Sequence, residues 1–199
     1  MGSLLKISGL IDALNERIGR SLIWLVLIAV LVSALNAIVR KAFNYSSNAF
    51  LEVQWYMFSA IFLLGAGYTL RHNEHIRIDI IAGRFSKRVQ TWIDIFGTVF
   101  FLFPVAITFI WFGWETFAVS FHSQEMSPNA GGLIVWPAKM LIPLGFFLLC
   151  LQGASELVKR VAFLQGLIPD PSEKHEMPTA EEALLQELRQ RQEGEKNNA

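Results

Sequence analysis

The stretch SLIWLVLIAVLVSALNAIV, residues 21–39, contains no charged residue and decides the fold class of this chain. An α-helix rises about 1.5 Å per residue, so a stretch of this length approaches the roughly 20 residues that cross a hydrocarbon layer of about 30 Å. Three further charge-free runs follow, at residues 53–70, 95–114 and 140–155. Four such runs in 199 residues, 53% of them hydrophobic, predict an all-α integral membrane protein with four transmembrane helices.

The charge-free runs divide the chain into three predicted regions. Residues 1–20 form an amphipathic cytoplasmic segment, which we expect to lie along the membrane interface before the chain turns into the first span. Asp12 and Glu16 precede the first run, and that run exceeds a signal-peptide core, so the first span is expected to be retained. The predicted membrane domain is 21–165, with spans at about 21–39, 53–70, 95–114 and 135–157, and the predicted tail is 166–199, with a short helix at 179–192.

Lysine and arginine residues near the ends of the spans predict the orientation of the chain. Ten fall on one side: Lys6, Arg17, Arg20, Arg71, Arg77, Arg84, Lys87, Arg88, Lys159 and Arg160. Three fall on the other side: Arg40, Lys41 and Lys139. We therefore expect both termini and the connection 71–94 to face the cytoplasm. The formal net charge is zero, which gives no indication of a nucleic-acid partner.

Several residues predict irregular or closely packed places in the spans. Pro104 lies midway through the third span, where it removes one backbone hydrogen bond and is expected to kink the helix. Gly65 and Gly67 give the second span a small surface that a neighbouring helix can approach, and the Gln54 and Gln152 amides could bridge helices. The connection 125–137 is nearly uncharged, so we expect it to pack against protein or to dip into the membrane interface.

The connection between spans two and three begins with HNEHIRIDI, residues 72–80, which concentrates ionisable side chains. His72 and His75 are three residues apart, but a zinc site normally needs three or four ligands, and the sequence contains no second ligand pair. A proton relay would need residues inside the bilayer core, whereas this stretch follows the end of a span. A structural junction at the cytoplasmic surface is therefore favoured, and no metal site or catalytic residue is predicted.

The residues after this junction predict an amphipathic helix in the headgroup layer. Ile81, Phe85, Val89 and Trp92 recur at helical spacing, and basic residues occupy the opposite face. The residues assigned to this interfacial helix are Arg84, Phe85, Lys87, Arg88 and Trp92.

A series of short motifs follows along the chain: EVQWY (52–56), LLGAG (63–67), HIRID (75–79), WID (92–94), GG (131–132), WPAK (136–139), PLGF (143–146) and LQG (151–153). Their order resembles that of the small membrane subunit (DctQ-like, or Q-type) of tripartite ATP-independent periplasmic (TRAP) transporters. The resemblance covers about residues 10–165. Glu74 stands where many relatives have glycine, and the tail beyond Pro169 lies outside the resemblance.

The resemblance implies a system of three components in the bacterial inner membrane and periplasm. A periplasmic binding protein delivers an organic acid, a large membrane subunit binds sodium ions and substrate and moves in an elevator fashion, and the small subunit is its scaffold. It implies neither an enzymatic activity nor a cofactor for this chain.

The candidate partner contacts are Glu52, Trp55, His75, Arg77, Asp79 and Lys139. Each also has a simpler interpretation. Glu52 suits an exposed helix N-terminus, and Lys139 suits a side chain that reaches the headgroup layer. The residues of the HIRID motif suit a self-contained salt-bridged turn, and Trp55 suits an interface anchor.

Two other classes of protein compete with a transporter subunit. The membrane anchor of a quinone-linked redox enzyme would also have several spans, but haem ligation needs His or Met inside the bundle. All four histidines fall outside the spans: His72, His75, His122 and His175. Quinone binding stays an alternative. A stand-alone membrane enzyme is rejected, because the sequence contains no nucleophile–base pair, carboxylate pair or phosphate-binding loop.

Overall fold

The computed structural model describes residues 1–44, 47–72 and 85–169, and these residues are helical apart from short connections. The helices are α1 (Gly2–Phe43), α2 (Asn48–Arg71), α3 (Lys87–Gly97), α4 (Phe103–His122) and α5 (Trp136–Leu164). A π-helical turn, Thr98–Leu102, joins α3 to α4 without a break. An isolated β-bridge pairs Met126 with Ile134 in the connection between α4 and α5.

Within the described residues, four helical stretches are long and apolar enough to cross a membrane. They are Gly2–Phe43, Asn48–Arg71, Lys87–His122 and Trp136–Leu164. The predicted all-α architecture with four spans is therefore confirmed. The orientation of the termini stays a prediction.

The predicted turn between residues 1–20 and the first span was wrong, because α1 is one helix of 42 residues. Its N-terminal part extends beyond the predicted span, and Ser8 and Asn15 there are buried. Both side chains contact α5 through hydrogen bonds. The polar face of this segment thus packs against another helix of the same chain.

The described part of the predicted interfacial helix opens the third span. Lys87, Arg88 and Trp92 lie in α3, which continues through the π-helical turn into α4, and Phe85 directly precedes it. Arg84 lies outside the described residues, as do His75, Arg77 and Asp79 of the predicted junction. The predicted tail helix at 179–192 lies outside them as well.

Pro104 directly follows the irregular part of the third span. Proline lacks a backbone N–H, and its ring crowds the carbonyl group four residues earlier, here that of Phe100. In the structure the helix widens before this point, and the Phe103 N–H donates to the Thr98 carbonyl five residues back. The sequence predicted a kink at Pro104, and the structure has a π-helical turn beside it.

Helix α5 is the centre of the fold, since α1, α2, α3 and α4 all pack against it and α1 also packs against α2. The buried residues are mostly small or polar, as with Ala162, Ser155 and Gln152. Large apolar side chains point outwards instead, and Phe62 and Trp111 are 79% and 72% exposed. Small residues bring membrane helices close together, while outward apolar side chains suit lipid or a partner subunit.

Gly67 is a point of close approach between α2 and α1. A Cβ atom at this position would overlap Asn15 Oδ1 and would lie 3.4 Å from the Leu148 carbonyl oxygen. The Asn15 side chain is buried, and the hydrogen bond from its Nδ2 atom to Gln152 holds it in place. At Gly97 in α3 a Cβ atom would meet nothing within 4 Å. The two glycines therefore form a matched pair for testing this contact.

We expect Gly67→Ala to lower the stability of the bundle by about 1–3 kcal/mol, because the added methyl group overpacks the contact. Gly97→Ala should be neutral or slightly stabilising, since alanine is the better helix former. The measurement is the thermal unfolding midpoint of each variant in the same detergent. Equal midpoints for the two variants would show that α1 and α2 do not approach as described.

Candidate functional site

A buried polar cluster joins α1 to α5 near the N-terminus of the chain. We call it the α1–α5 cluster, and its members are Ser8, Asp12, Asn15, Gln152, Ser155, Glu156 and Lys159. The residues from α1 are spaced by four and three, and those from α5 by three, one and three. These spacings place each set on one face of its helix.

Gln152 and Asp12 are the most connected members of the α1–α5 cluster. The Asn15 Nδ2 atom donates to Gln152 Oε1 at 2.9 Å, and Gln152 Nε2 donates to Asp12 Oδ1 at 2.8 Å. Ser155 Oγ also donates to Asp12 Oδ1, at 2.8 Å, and Lys159 Nζ lies 3.1 Å from Asp12 Oδ2. Both Asn15 and Gln152 are fully buried, so these bonds replace water for groups that cannot reach it.

Two further groups of charged contacts, one around Glu16 and one between Arg160 and Asp94, lie at the same end of the helices. Glu16 accepts hydrogen bonds from Arg71 at 2.6 Å and from Arg20 at 2.7 Å, and His72 Nε2 lies 2.9 Å from it. Arg71 also donates to the Asp12 carbonyl oxygen at 2.8 Å, which ties α2 to α1. The buried Arg160 pairs with Asp94, which ties α5 to α3.

Sequence reasoning missed this system of charges, apart from the proposal that Gln152 bridges two helices, which the structure confirms. A signal was present, because Ser8, Asp12 and Asn15 share one helical face. Their partners lie at least 137 positions away along the chain, and no local pattern connects the two. The predicted junction at 75–79 follows Arg71 and His72 in the sequence, and it lies outside the described residues.

Glu52 organises the other end of the bundle. Its carboxylate accepts hydrogen bonds from the Leu133 N–H at 2.6 Å, from Asn129 Nδ2 at 2.9 Å and from Ser127 Oγ. These three donors belong to the connection 123–135, which we call the α4–α5 loop. Gly132 is needed here, since a Cβ atom would lie 2.6 Å from Ser127 Cβ and 2.9 Å from Glu52 Oε1.

Other contacts hold the α4–α5 loop against α2. The Tyr56 hydroxyl donates to the Ile134 carbonyl oxygen at 3.0 Å, and Asn48 Nδ2 donates to the Ala130 carbonyl oxygen at 3.0 Å. The Ser127 N–H donates to the Leu133 carbonyl oxygen at 2.9 Å within the loop. The loop therefore packs against protein, which is one of the two outcomes that its low charge predicted.

Lys139 pairs with Glu125 at the base of the α4–α5 loop. The Lys139 ammonium holds the pKa of the Glu125 carboxyl below its ordinary value of 4.5. A lowered carboxyl pKa means that the contact is complete above that value and is lost as the pH falls through the lowered pKa. The ion pair is therefore intact at neutral pH.

The remaining predicted contact residues are on the surface. Trp55 is 72% exposed on α2, and Phe85 and Trp92 are 48% and 62% exposed near the start of the third span. Lys87 and Arg88 are exposed as well. Exposure leaves Trp55, Phe85 and Trp92 accessible to lipid or to a partner, and the predicted roles of all these residues stay predictions.

The geometry of both ends is that of structural contacts. Charged side chains pair across helices, and within the described residues no group of three or more His, Cys, Asp or Glu side chains is arranged to hold a metal ion. What the arrangement can do is to fix four spans and one loop relative to one another.

Removing the amide of Gln152 tests the α1–α5 cluster. In Gln152→Leu the Asn15 amide loses its acceptor and Asp12 loses a donor, so we expect a loss of about 2 kcal/mol or more. Gln165→Leu is the control, since Gln165 is exposed and follows the end of α5. Thermal unfolding followed by tryptophan fluorescence measures the difference, and similar midpoints for the two variants would contradict the role given to Gln152.

Glu52→Gln tests the attachment of the α4–α5 loop. An amide in place of the carboxylate must direct an NH₂ group at one of the donors, so we expect hydrogen exchange across 123–135 to rise about tenfold or more. Glu115→Gln on α4 is the control, because Glu115 is exposed and makes no side-chain hydrogen bond to a described residue. If mass spectrometry finds unchanged exchange in the loop of Glu52→Gln, the carboxylate does not hold it.

Comparison with known families identifies the bundle. Residues 29–163, about two thirds of the chain, match the family described as "Tripartite ATP-independent periplasmic transporters, DctQ component". The comparison with curated proteins gave no match. The matched residues include the Glu52 contacts, the α4–α5 loop and most of α5. The chain therefore belongs to the DctQ family and is the small, Q-type subunit of a TRAP transporter, a multi-pass membrane component of a transport system and not an enzyme.

Proposed function

We propose that this subunit is the fixed scaffold of a TRAP transporter that imports an organic acid across a bacterial inner membrane. In this proposal the large subunit binds sodium ions and substrate and moves as an elevator, while a periplasmic binding protein delivers the substrate. The main support for the proposal is that hydrogen bonds and ion pairs join the helices inside the bundle, whereas large apolar side chains cover its exterior.

The charge distribution supports a scaffold. The runs 21–39, 53–70, 95–114 and 140–155 contain no Asp, Glu, Lys, Arg or His, whereas a transporter normally places such groups near the midplane. The charged contacts at the ends of the helices, such as Asp12 with Lys159 and Asp94 with Arg160, join spans of the same chain. The side chains that could bind an ion are thus used to hold the bundle together.

The exterior supports a large partner in the membrane. Exposed aromatic side chains occur on each of the first three spans, including Trp24 at 69%, Phe62 at 79% and Trp111 at 72%. Aromatic residues are enriched where protein surfaces associate. We propose that the large subunit covers part of this surface and that lipid covers the rest.

The α4–α5 loop supports contact with the binding protein. It lies at the end of the bundle opposite the start of α1 and the end of α5 and is fixed by Glu52, and Met126 within it is 60% exposed. If the termini are cytoplasmic, as the lysine and arginine distribution predicts, this loop faces the periplasm. The redox-anchor alternative has no support from the family match.

The experiment is purification through a tag on this chain, after expression alone and together with the proteins encoded beside it, followed by reconstitution into liposomes. We expect a larger polytopic subunit in equal amount, and uptake of an organic acid that requires both subunits, the binding protein and an inward sodium gradient. A potassium gradient of the same size is the control.

Two results would contradict the proposal. A larger subunit that transports equally well without this chain would show that no scaffold is needed. Co-purification of a flavin- or haem-containing protein in place of a transporter subunit would favour the redox anchor.

A further inference from the structure

A polar groove lies between the C-terminal end of α1 and the start of α2. Its volume is about 480 Å³, and its polar lining consists of Ser33, Asn36, Arg40, Lys41, Asn44 and Gln54. It is at the same end of the bundle as Glu52 and is separate from the contacts that hold the α4–α5 loop. Neither the scaffold role nor the family match gives it a function.

The groove collects all the polar side chains of this part of the chain. From Leu22 to Asn44 the only polar residues are Ser33, Asn36, Arg40, Lys41 and Asn44, and all five line it. Their spacings of three, four, one and three place them along one side of α1. The stripe reaches about 16 Å along the helix from Asn44 to Ser33, at about 1.5 Å per residue. Ser33 and Asn36 lie inside the charge-free run 21–39, and Arg40, Lys41 and Asn44 follow it, so the stripe extends from the end of the span into its apolar part.

The Ser33 hydroxyl donates to the Ala29 carbonyl oxygen at 2.8 Å, but the other polar side chains of the groove have no partner among the described residues. Arg40 and Lys41 form no ion pair there, whereas Arg71, Lys139, Lys159 and Arg160 all pair with carboxylates. The half-buried amides of Asn36 and Gln54 likewise make no hydrogen bond to a described residue. The groove therefore presents two positive charges and several N–H donors together, which is the chemistry that recognises an anionic oxygen group.

An exposed aromatic stripe runs away from the groove along α2. Trp55, Phe58 and Phe62 are spaced by three and four residues, and they are 72%, 57% and 79% exposed. Trp55 directly follows Gln54 of the groove lining. A ligand that suits both surfaces has an anionic head and long apolar chains. A carboxylate side chain of a partner protein would use the cations and leave the stripe unexplained.

We propose that the groove binds the phosphodiester headgroup of an anionic membrane phospholipid, with an acyl chain along Trp55, Phe58 and Phe62. The Arg40 guanidinium and the Lys41 ammonium bind the phosphate oxygens, and the amide NH₂ groups of Asn36 and Gln54 donate to the same headgroup. The site needs only the membrane location of the bundle and is independent of the scaffold role.

The test is native mass spectrometry of the full chain in detergent, titrated with phosphatidylglycerol or with phosphatidylcholine that has the same acyl chains. We expect the wild-type protein to bind phosphatidylglycerol preferentially. In the double variant Arg40→Gln with Lys41→Gln, binding should weaken about tenfold or more, because each cation near the membrane surface contributes to holding an anionic lipid. The double variant Lys6→Gln with Arg17→Gln is the control, since it removes two exposed cations outside the groove.

Several outcomes would overturn the proposal. Equal binding of the two lipids by the wild-type protein would exclude an anionic headgroup site, and this comparison needs no variant. Competition by millimolar inorganic phosphate as effective as that by lipid would indicate a site for a soluble anion. Equal loss in both double variants would indicate general charge attraction. Unchanged lipid binding by the Arg40/Lys41 variant, combined with loss of the large subunit on co-purification, would assign the groove to a carboxylate of the partner.

Discussion

Asp12 on α1 accepts hydrogen bonds from Gln152, Ser155 and Lys159 on α5, and this contact joins the first span to the last. Apolar contacts between the helices cannot replace this contact, because apolar side chains in a bilayer gain little free energy by leaving lipid for protein. Hydrogen bonds and close packing must therefore hold the spans together. The helices α1, α2, α3 and α4 all pack against α5. The contact between α1 and α5 therefore also constrains the other helices.

The same constraint explains how the bundle presents itself to its surroundings. Polar residues such as Asn15 and Gln152 occupy the interior, so the large apolar residues are left on the outside. Glu52 fixes the α4–α5 loop at one end in the same way that Glu16 and Asp12 fix the helices at the other. A bundle that is held together by polar contacts at both ends, with an apolar exterior, is consistent with the proposed fixed scaffold.

The sequence was sufficient for the spans, because three charge-free runs of 18 to 20 residues have the length of a membrane helix and the 16-residue run 140–155 reaches that length once the residues around Lys139 are included. It was insufficient for the ends of α1, since a polar segment such as 1–20 lies in the interface or continues as a helix depending on whether Ser8 and Asn15 find partners. Those partners are on α5, far along the chain. Glu52 was predicted to contact a partner or to be an exposed carboxylate at a helix N-terminus, and its bonds to Ser127 and Leu133 could not be predicted because they depend on the tertiary fold. The packing of the α4–α5 loop was predictable, because a loop with so few charges is expected to lie against protein or in the membrane interface.

A fixed scaffold keeps one arrangement of its helices while the transporter works. This can be measured by pulsed electron–electron double resonance between spin labels at Phe43 on α1 and Val119 on α4, with Cys150 replaced by serine. Both labelled positions are exposed, at 76% and 66%. The measurement is made on the assembled transporter with and without sodium ions, substrate and binding protein. A fixed scaffold should give one narrow distance distribution that is the same in every condition. A second distance that appears with substrate would contradict a fixed scaffold, because the spans would then rearrange during transport.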